Sequence, residues 1–430
     1  MSAWPTTRLR YVADLNPPVR DDLLTALETE VSFLPMEAIG ENGSIRLDRT
    51  RPVSEVRTGY TFFEDGDVAF AKVTPCFENG KGALMRNLQC GAGFGTSELT
   101  VLRPRPGTNA SFLNYVLQSE TFRRLGVGAM TGAGGLKRVP DDFTRDFVVA
   151  WPDVAVQELV ANFLDEQTTR IDALIAEKEQ LVEKLRTYQY SRASQLMTLG
   201  LTEGVQLKET TFPEIGAVPS HWTVKPLKFL GEVRSGVAKG KDLAGKDKVV
   251  LPYLRVANVQ DGYVDLTEVS DIEIAASDAT RYLLQKGDVL MNEGGDNDKL
   301  GRGAVWQGQI EPCIHQNHVF AVRLTDPALS DWVSRFTSTH AARTYFFLRS
   351  KQSTNLASIN QSNVRELPVP MPPEVERVEI QAELERMSKA TNDLIGHAVE
   401  HVSRLREYRS SLISAAVTGQ LDINSYKEAA

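Results

Sequence analysis

Three short groups of residues in this 430-residue chain have types and spacings that could support chemistry. Residues 240–247 read Gly-Lys-Asp-Leu-Ala-Gly-Lys-Asp, which approaches a phosphate-binding loop. Asp247 stands where a Ser or Thr hydroxyl should reach magnesium, and no buried strand leads into the loop, so we interpret it as basic surface. His397 and His401 are four residues apart on a predicted helix, but no third metal ligand accompanies them. We assign them to the helix seam.

A third group, Asn16-Pro17-Pro18-Val19, is similar to the Asn/Asp-Pro-Pro-aromatic motif with which amino-group DNA methyltransferases hold a flipped base. Val19 replaces the aromatic ring that should stack on that base. No strand with a Gly-rich turn precedes the group to hold S-adenosylmethionine, so we expect a plain loop. The sequence therefore predicts no catalytic residues, no metal site and no cofactor bound by this chain.

The elements that must position any site are repeated once along the chain, at a shift near 220 residues. The clearest match aligns residues 66–84 with 287–305 without a gap, beginning Gly-Asp-Val in both copies. Further matches in the same order are Trp4 with Trp222, Tyr11 with Phe229, Leu136 with Leu356, Pro152 with Pro372, Leu185 with Leu405 and Tyr188 with Tyr408. The set as a whole predicts two similar domains.

Each repeat begins with about 150 residues of short β-rich runs separated by Gly, Asn, Pro and Asp. Predicted strands are Asp67–Val73, Leu99–Arg103, Val249–Val259 and His318–Leu324, and short helices are predicted near Phe112–Arg124 and Ser330–Arg349. The predicted fold class is therefore α/β (α+β), with two mixed α/β domains related by internal duplication.

Each repeat ends in a long helix, and residues 154–198 contain neither Pro nor Gly. Apolar residues recurring in sevens predict a coiled-coil seam of Ile171, Leu174, Leu181, Leu185 and Tyr188, then Leu394, Leu405, Tyr408 and Leu412, flanked by Ile175, Val182, Ile395 and Val402. Lys178 and His401 should interrupt this seam. A helix of about 45 residues is roughly 65 Å long, more than a 150-residue domain is wide. We expect the two helices to pair antiparallel and separate the domains; the alternative, that each covers its own domain, stays open.

Composition indicates a soluble protein with 42% apolar and 24% charged residues. No apolar run reaches a membrane span, there is no secretory signal, and three scattered cysteines favour a reducing cytoplasm. The net charge of −8 argues against nucleic acid. However, residues 1–152 and 200–372 are each close to neutral, and the acidic excess is concentrated in the helical segments.

Both domains contain a window without carboxylates at matching positions, from Glu120 to Asp141 and from Asp331 to Glu366. Basic side chains without acidic neighbours make positive surface that an anionic backbone can use. Polar, Gly-rich loops with base-reading side chains lie beside these windows. The candidate DNA contacts of the first domain are Lys72, Thr74, Asn79, Lys81, Thr96, Ser97, Arg123, Arg124, Lys137 and Arg138. Those of the second are Arg255, Asn258, Asn292, Lys299, Arg302, Gln316, Asn317, His318, Arg343, Lys351, Ser353, Asn355 and Asn360.

Taken together, these features resemble the specificity (S) subunits of type I restriction-modification systems, over essentially the whole chain. The resemblance rests on residues 163–175, which begin Phe-Leu-Asp-Glu-Gln, and on 412–419, Leu-Ile-Ser-Ala-Ala-Val-Thr-Gly. It rests also on residues 218–228 at the start of the second domain, on 74–82, and on 315–320. The end of the first long helix, residues 194–201, departs from the pattern.

The resemblance implies two target-recognition domains, 1–152 and 205–372, joined by conserved helical segments at 153–204 and 373–430. It implies a bipartite, asymmetric target on double-stranded DNA and two methylation (M) subunits as partners, and it leaves open whether restriction (R) subunits join. S-adenosylmethionine, ATP and Mg²⁺ would be bound by those partners, and this chain would catalyse nothing. Two other classes stay open: a self-sufficient methyltransferase, and a structural adaptor that does not bind DNA.

Overall fold

The structure is a computed structural model that describes residues 4–41, 43–133, 135–240, 243–295, 300–352 and 357–423. It divides into two compact units, Met1–Gln180 with Ala398–Ala430, and Leu181–His397. Helices and strands occur in both units, which confirms the predicted mixed fold.

The first unit holds the elements up to the first long helix. Its strands are β1 (Thr6–Arg8), β2 (Ala13–Leu15), β3 (Glu30–Leu34), β4 (Thr50–Pro52), β5 (Tyr60–Glu64), β6 (Val68–Ala71), β7 (Gly82–Leu84), β8 (Ala92–Thr96), β9 (Leu99–Pro104), β10 (Thr131–Ala133), β11 (Leu136–Arg138) and β12 (Val148–Ala150). Its short helices are α1 (Leu9–Val12), α2 (Asp21–Thr25), α3 (Val53–Val56), α4 (Ala110–Gln118), α5 (Glu120–Ala129) and α6 (Asp141–Asp146). The long helix α7 (Val154–Leu199) runs on into the second unit.

The second unit repeats this plan. Its strands are β13 (Leu207–Glu209), β14 (Ala217–Pro219), β15 (Thr223–Pro226), β16 (Gly231–Ser235), β17 (Lys248–Leu254), β18 (Ser270–Ala275), β19 (Val289–Asn292), β20 (Gly294–Gly295), β21 (Gly303–Val305), β22 (Ile314–His315), β23 (Val319–Leu324), β24 (Lys351–Gln352), β25 (Ala357–Ser358) and β26 (Pro368–Met371). Its short helices are α8 (Ala276–Tyr282), α9 (Ser330–Thr337), α10 (His340–Arg349) and α11 (Gln361–Arg365), and α12 (Glu374–Val417) is the second long helix.

The sheets of the two units have matching topology. In the first unit the antiparallel order is β2-β9-β6-β7, and in the second it is β16-β23-β19-β21. Each unit also has one parallel pair in its other main sheet, β3 with β8 and β17 with β22. Every residue of the central strands β6 and β19 is buried, which explains their apolar sequences. The duplication predicted from the sequence is thus confirmed in three dimensions.

The two long helices run antiparallel within each unit. In the first, Arg409 of α12 pairs with Asp172 of α7 at 2.9 Å, and Arg406 pairs with Glu179 at 2.7 Å. Residue numbers therefore decrease along α12 in the direction in which they increase along α7. In the second, the amide of Gln189 donates to the hydroxyl of Ser388 at 2.9 Å.

The predicted seam is partly wrong in register. Val182 and Val402, which we placed beside the seam, are 8% exposed, whereas Leu174, Leu181 and Tyr188 are 41–57% exposed. Along α7 the buried and half-buried residues follow one another at alternating spacings of four and three residues. The heptad repeat is therefore present, but on the helix face next to the one that we predicted. Lys178 is half-buried as expected, but His401 and His397 are exposed and lie outside the seam.

Each long helix ends at a glycine in the left-handed region beneath a tryptophan. Gly200 has a φ of 76° and lies against Trp222; Gly419 has a φ of 71° and lies against Trp4. One turn earlier, the hydroxyl of Ser194 accepts the first amide of α10, and that of Ser414 accepts the first amide of α5, both at 3.0 Å. The two helix ends are therefore equivalent, although the sequence of the first departs from that of the second.

Candidate nucleic-acid interface

Three polar segments of the first unit, distant in sequence, lie side by side. The amide of Lys72 donates to the carbonyl of Glu98 at 2.9 Å, and the amide of Thr74 donates to that of Lys137 at 3.0 Å. We call this surface, residues 72–81, 96–98, 131–133 and 135–138, the first interface. The structure thus brings together the polar loops and the basic window that the sequence placed near each other.

The hairpin β10–β11 is the most accessible part of the first interface. All its described strand residues are exposed. Lys137 makes no ion pair among the residues that the structure describes, and neighbouring Leu136 is 49% exposed. A two-stranded ribbon fits the major groove of B-DNA, and an unpaired lysine can neutralise a phosphate.

Arg138 ties this hairpin to the β8–β9 turn. Its guanidinium donates two hydrogen bonds to the carboxylate of Glu98, at 2.8 and 2.6 Å. The hydrogen bond from Arg138 lowers the pKa of Glu98, and the positive charges of Arg138 and Lys72 add to that effect. The positive charge of Arg138, which lies in the segment without carboxylates, is therefore neutralised by Glu98 from another part of the chain.

The remaining candidates of the first unit divide into structural and outward-facing side chains. Thr74 and Lys81 donate to backbone carbonyls at 3.3 and 3.2 Å, and the hydroxyl of Thr96 accepts a backbone amide at 3.3 Å. These three hold the loops in shape. Those facing solvent are Asn79, Ser97 and Arg124, while Lys72 is half-buried.

Arg123 is half-buried, and its guanidinium is bound to the loop 74–81. Its guanidinium donates to the carbonyl of Gly80 at 3.2 Å. Burial, together with the nearby positive charge of Arg409, lowers the pKa of Arg123 to about 10. The prediction that Arg123 contributes to a basic surface is corrected, because its position on α5 points it under the loop 74–81.

The second unit has a corresponding surface, built from different residues. The amide of Glu293 donates to the carbonyl of His318 at 2.9 Å, and Gly294–Gly295 pairs with Ala357–Ser358. We call residues 293–295, 316–318, 351–352 and 357–358 the second interface. Candidates Gln316 and Asn317 are half-buried, and His318 and Lys351 are exposed. The Nδ1 atom of His318 lies 2.5 Å from a carboxylate oxygen of Glu293.

Two asparagines predicted to read bases are committed to the fold. Asn258 is 3% exposed; its amide donates to two backbone carbonyls at 2.9 Å, and its carbonyl accepts the amide of Arg255 at 2.8 Å. Asn292 is 2% exposed and donates to a backbone carbonyl at 2.9 Å. Both predictions are wrong, because polar side chains in a strand-rich core satisfy buried backbone groups.

Other candidates of the second unit have intramolecular partners. Arg255 pairs with Glu268 at 3.4 Å, and Arg302 donates to the side chain of Gln260 at 2.7 Å. Asn360 caps the N-terminus of α11. Lys299, Ser353 and Asn355 lie outside the described residues.

Arg343 is neutralised rather than free. It pairs with Asp261 at 2.7 Å, and its guanidinium lies 5.0 Å from the ring centroid of Tyr190 on α7. Two other arginines of its window are also paired, Arg335 with Glu385 and Arg349 with Glu214. The expectation of uncompensated positive surface between Asp331 and Glu366 is therefore wrong for these three arginines.

Asn16, the first residue of the Asn-Pro-Pro-Val group, and the buried His315 both bind other parts of the fold, whereas Lys241 and Asp242 of the group 240–247 lie outside the described residues. The side chain of Asn16 accepts the amide of Val101 at 2.9 Å and donates to Asp141 at 3.3 Å, which fixes it in a loop as expected. His315 is buried, its Nδ1 lies 2.7 Å from the carbonyl of Val319, and burial lowers its pKa to about 4. Within the described ranges, no three His, Cys, Asp or Glu side chains are grouped as metal ligands. Nor does any described helix have the length and apolar character to cross a membrane.

The sequence reasoning missed the acids of the two interfaces, Glu98 and Glu293. A signal was present at shift 220, where Glu98 corresponds to His318. A change from acid to histidine at equivalent positions marks a surface that has diverged while the scaffold stayed the same.

Comparison with known proteins shows relatives of one kind, although no protein-family model matches the chain. It is 37% identical over 198 residues to the type I restriction enzyme EcoAI specificity subunit of Escherichia coli, and 35% identical over 195 residues to the EcoEI specificity subunit of the same species. Each match covers 42% of this chain but only 32% of the relative's length. The EcoKI specificity subunit of Escherichia coli K12 is 25% identical over 75% of this chain and 68% of its own.

Solved structures share the fold at 16% identity. One is described as the structural basis underlying complex assembly and conformational transition of the type I R-M system; it matches 98% of this chain and 99% of its own with a TM-score of 0.73. Another is the HsdS subunit from Thermoanaerobacter tengcongensis, matching 98% of both chains with a TM-score of 0.54. The duplicated mixed domains and the paired long helices are thus the fold of these solved structures, and the curated relatives, all type I restriction enzyme specificity subunits, support the HsdS family for this chain.

Proposed function

We propose that this chain selects the DNA sequence for a type I restriction-modification complex, each recognition domain reading one half of an asymmetric split target. The observation that carries this proposal is a common scaffold with unlike outer surfaces. The four-stranded antiparallel sheet has the same strand order in both units, whereas one interface presents Glu98 with Arg138 and the other His318 with Glu293. Equivalent frames with different donors and acceptors suit two different half-sites.

Two methylation subunits are the proposed protein partners, and restriction subunits would join in a cleaving complex. Both long helices keep apolar side chains in solvent, including Leu174, Leu181, Leu394 and Val399, each 41–55% exposed. Such side chains on otherwise polar helices support docking of another protein. The partners would supply S-adenosylmethionine, ATP and Mg²⁺, and this chain would bind DNA without catalysing a reaction.

The test is to map modified adenines across the genome of cells that carry the methylation subunits, with and without this chain. We expect one motif of two unlike halves around a fixed spacer, lost when the chain is absent. Methylation that persists without the chain would overturn the proposal. Methyl transfer by the purified chain alone would instead show a self-sufficient methyltransferase.

A further inference from the structure

We infer that Asn79 is a specificity-determining residue of the first domain and that Arg123 is the positioning residue that holds its loop. This inference rests on the proposed function, since it names which side chains read one half of the target. It follows from how residues 74–81 are fastened to α5.

The loop 74–81 is attached to α5 at two points on either side of its exposed tip. Phe77 is 3% exposed and packs against Phe122 with ring centroids 6.0 Å apart. A Cβ on Gly126 would come within 2.4 Å of the Phe77 ring, so the ring lies directly on the helix backbone. This first contact fixes the start of the turn.

The second contact is between Gly80 and Arg123. Gly80 has a φ of 75°, and a Cβ there would meet the guanidinium carbon at 2.1 Å. The guanidinium therefore lies against the Gly80 backbone, while it donates to the Gly80 carbonyl at 3.2 Å. Because Arg123 forms no ion pair within the described ranges, its strongest described attachment is this loop.

Asn79 lies between these two contacts. Its backbone amide donates to the carbonyl of Pro75 at 3.0 Å, which fixes the main chain, and the side chain is exposed. Among the described residues no hydrogen bond forms to its side-chain amide. A planar amide with free donor and acceptor, held on a fixed backbone, can bond two atoms of one base edge. Rigid support allows such a side chain to discriminate between bases, because a mobile loop would lose conformational entropy on binding DNA and so weaken the contact.

The second domain uses the same device with another residue. Gly301, equivalent to Gly80, has a φ of 65°, and a Cβ there would meet the ring of Phe346 on α10 at 2.2 Å. A planar side chain from the second helix thus covers a left-handed glycine in both domains: a guanidinium in one and a phenyl ring in the other. The recurrence indicates that fixing this loop is a property of the scaffold.

The experiment measures binding of the complex with its methylation subunits to duplexes carrying the mapped target, each with one base pair substituted. We expect Asn79→Ala to remove discrimination at one or two adjacent base pairs of one half-site, where each wrong base pair costs the wild type roughly 5- to 150-fold. Arg123→Met should relax the same base pairs and leave the other half-site unchanged. Arg145→Met, at an exposed arginine of α6 that belongs to neither interface, is the control and should keep all discrimination.

Arg123→Lys, which keeps the charge but not the planar group, guards against a variant that does not fold and should lose part of the same discrimination. Full discrimination in both Arg123 variants would overturn the positioning role, as would equal relaxation of both half-sites. Unchanged discrimination in Asn79→Ala would overturn its role as a reader. A wild-type complex without any sequence preference would instead overturn the proposed function itself.

Discussion

Arg323 binds the buried carboxylate of Asp288 through two hydrogen bonds of 2.8 and 2.7 Å. The same carboxylate accepts the backbone amide of Gln285 at 2.8 Å, so it closes the turn before β19 and joins it to β23. In the first unit Arg103 and Asp67 repeat the arrangement at 2.8 Å for both bonds. This pair fixes the two central strands of each domain, and the recognition loops depart from those strands.

Asp288→Asn should destabilise the second domain. The substitution leaves the Arg323 guanidinium without a counter-ion, although that side chain is 31% exposed and the carboxylate only 2%. We expect a loss of about 2–3 kcal/mol, below the roughly 3–5 kcal/mol of a fully buried pair. Thermal melting checks this. The control Glu273→Gln, in an exposed pair with Lys248, should change stability by less than about 1 kcal/mol. Equal melting temperatures for the two variants would contradict the claim that the Asp288–Arg323 pair stabilises the second domain.

His315 should make the second domain less stable in acid. Its pKa falls from an ordinary value of 6.5 to about 4 because burial disfavours the imidazolium. The unfolded chain therefore binds the extra proton first, so its contribution to stability is full above pH 6.5 and is lost as the pH falls towards 4. His315→Asn keeps a donor for the Val319 carbonyl and does not titrate. We expect melting between pH 7 and pH 4.5 to fall less in this variant, and parallel curves would contradict the prediction.

Lys137→Ala should weaken DNA binding about equally for every sequence. Lys137 forms no ion pair among the described residues and lies on an exposed hairpin, so we expect it to contact phosphate and not one base. The slope of log affinity against log salt should become shallower by about 0.9. Arg343→Ala is the comparison, and because Asp261 already neutralises that arginine, its slope should stay at the wild-type value. The assignment fails if Arg343→Ala changes the salt slope and Lys137→Ala does not.

One heptad inserted into each long helix should lengthen the spacer of the target. Seven residues preserve the steps of four and three along the helix pair and add about 10 Å. At roughly 3.4 Å per base pair this is about three base pairs. The same seven residues inserted after Gly204, in a loop, should leave the spacer unchanged. Methylation mapping that shows the original spacer in the helical variant would rule out the helices as the ruler.

The duplication could be predicted from the sequence because both copies keep the same residues at backbone positions that the shared fold requires. Gly66-Asp67-Val68 and Gly287-Asp288-Val289 mark the start of the same central strand, and glycines at turns survive when loops diverge. The helix register was harder to predict. Both faces of α7 carry leucines, and only the folded structure shows that Val182 is buried and Leu181 is not.

The charge of the interfaces could not be predicted, because it depends on distant contacts. Arg343 is neutralised by an acid 82 residues away, and Arg138 by one 40 residues away. A segment that contains no acidic residues in the sequence can therefore still have acidic residues beside it in the folded protein. Asn258 and Asn292 have the composition of base readers, but their burial depends on strand pairing.

The most direct test of the duplicated reader is a chain in which residues 222–372 are replaced by residues 4–152, joining Trp4 at the Trp222 position and Pro152 at the Pro372 position. With the methylation subunits present, modified adenines should then map to a target whose two halves are the same recognised sequence. A target that keeps its original second half, or that has only one contiguous half, would contradict two independent reading domains.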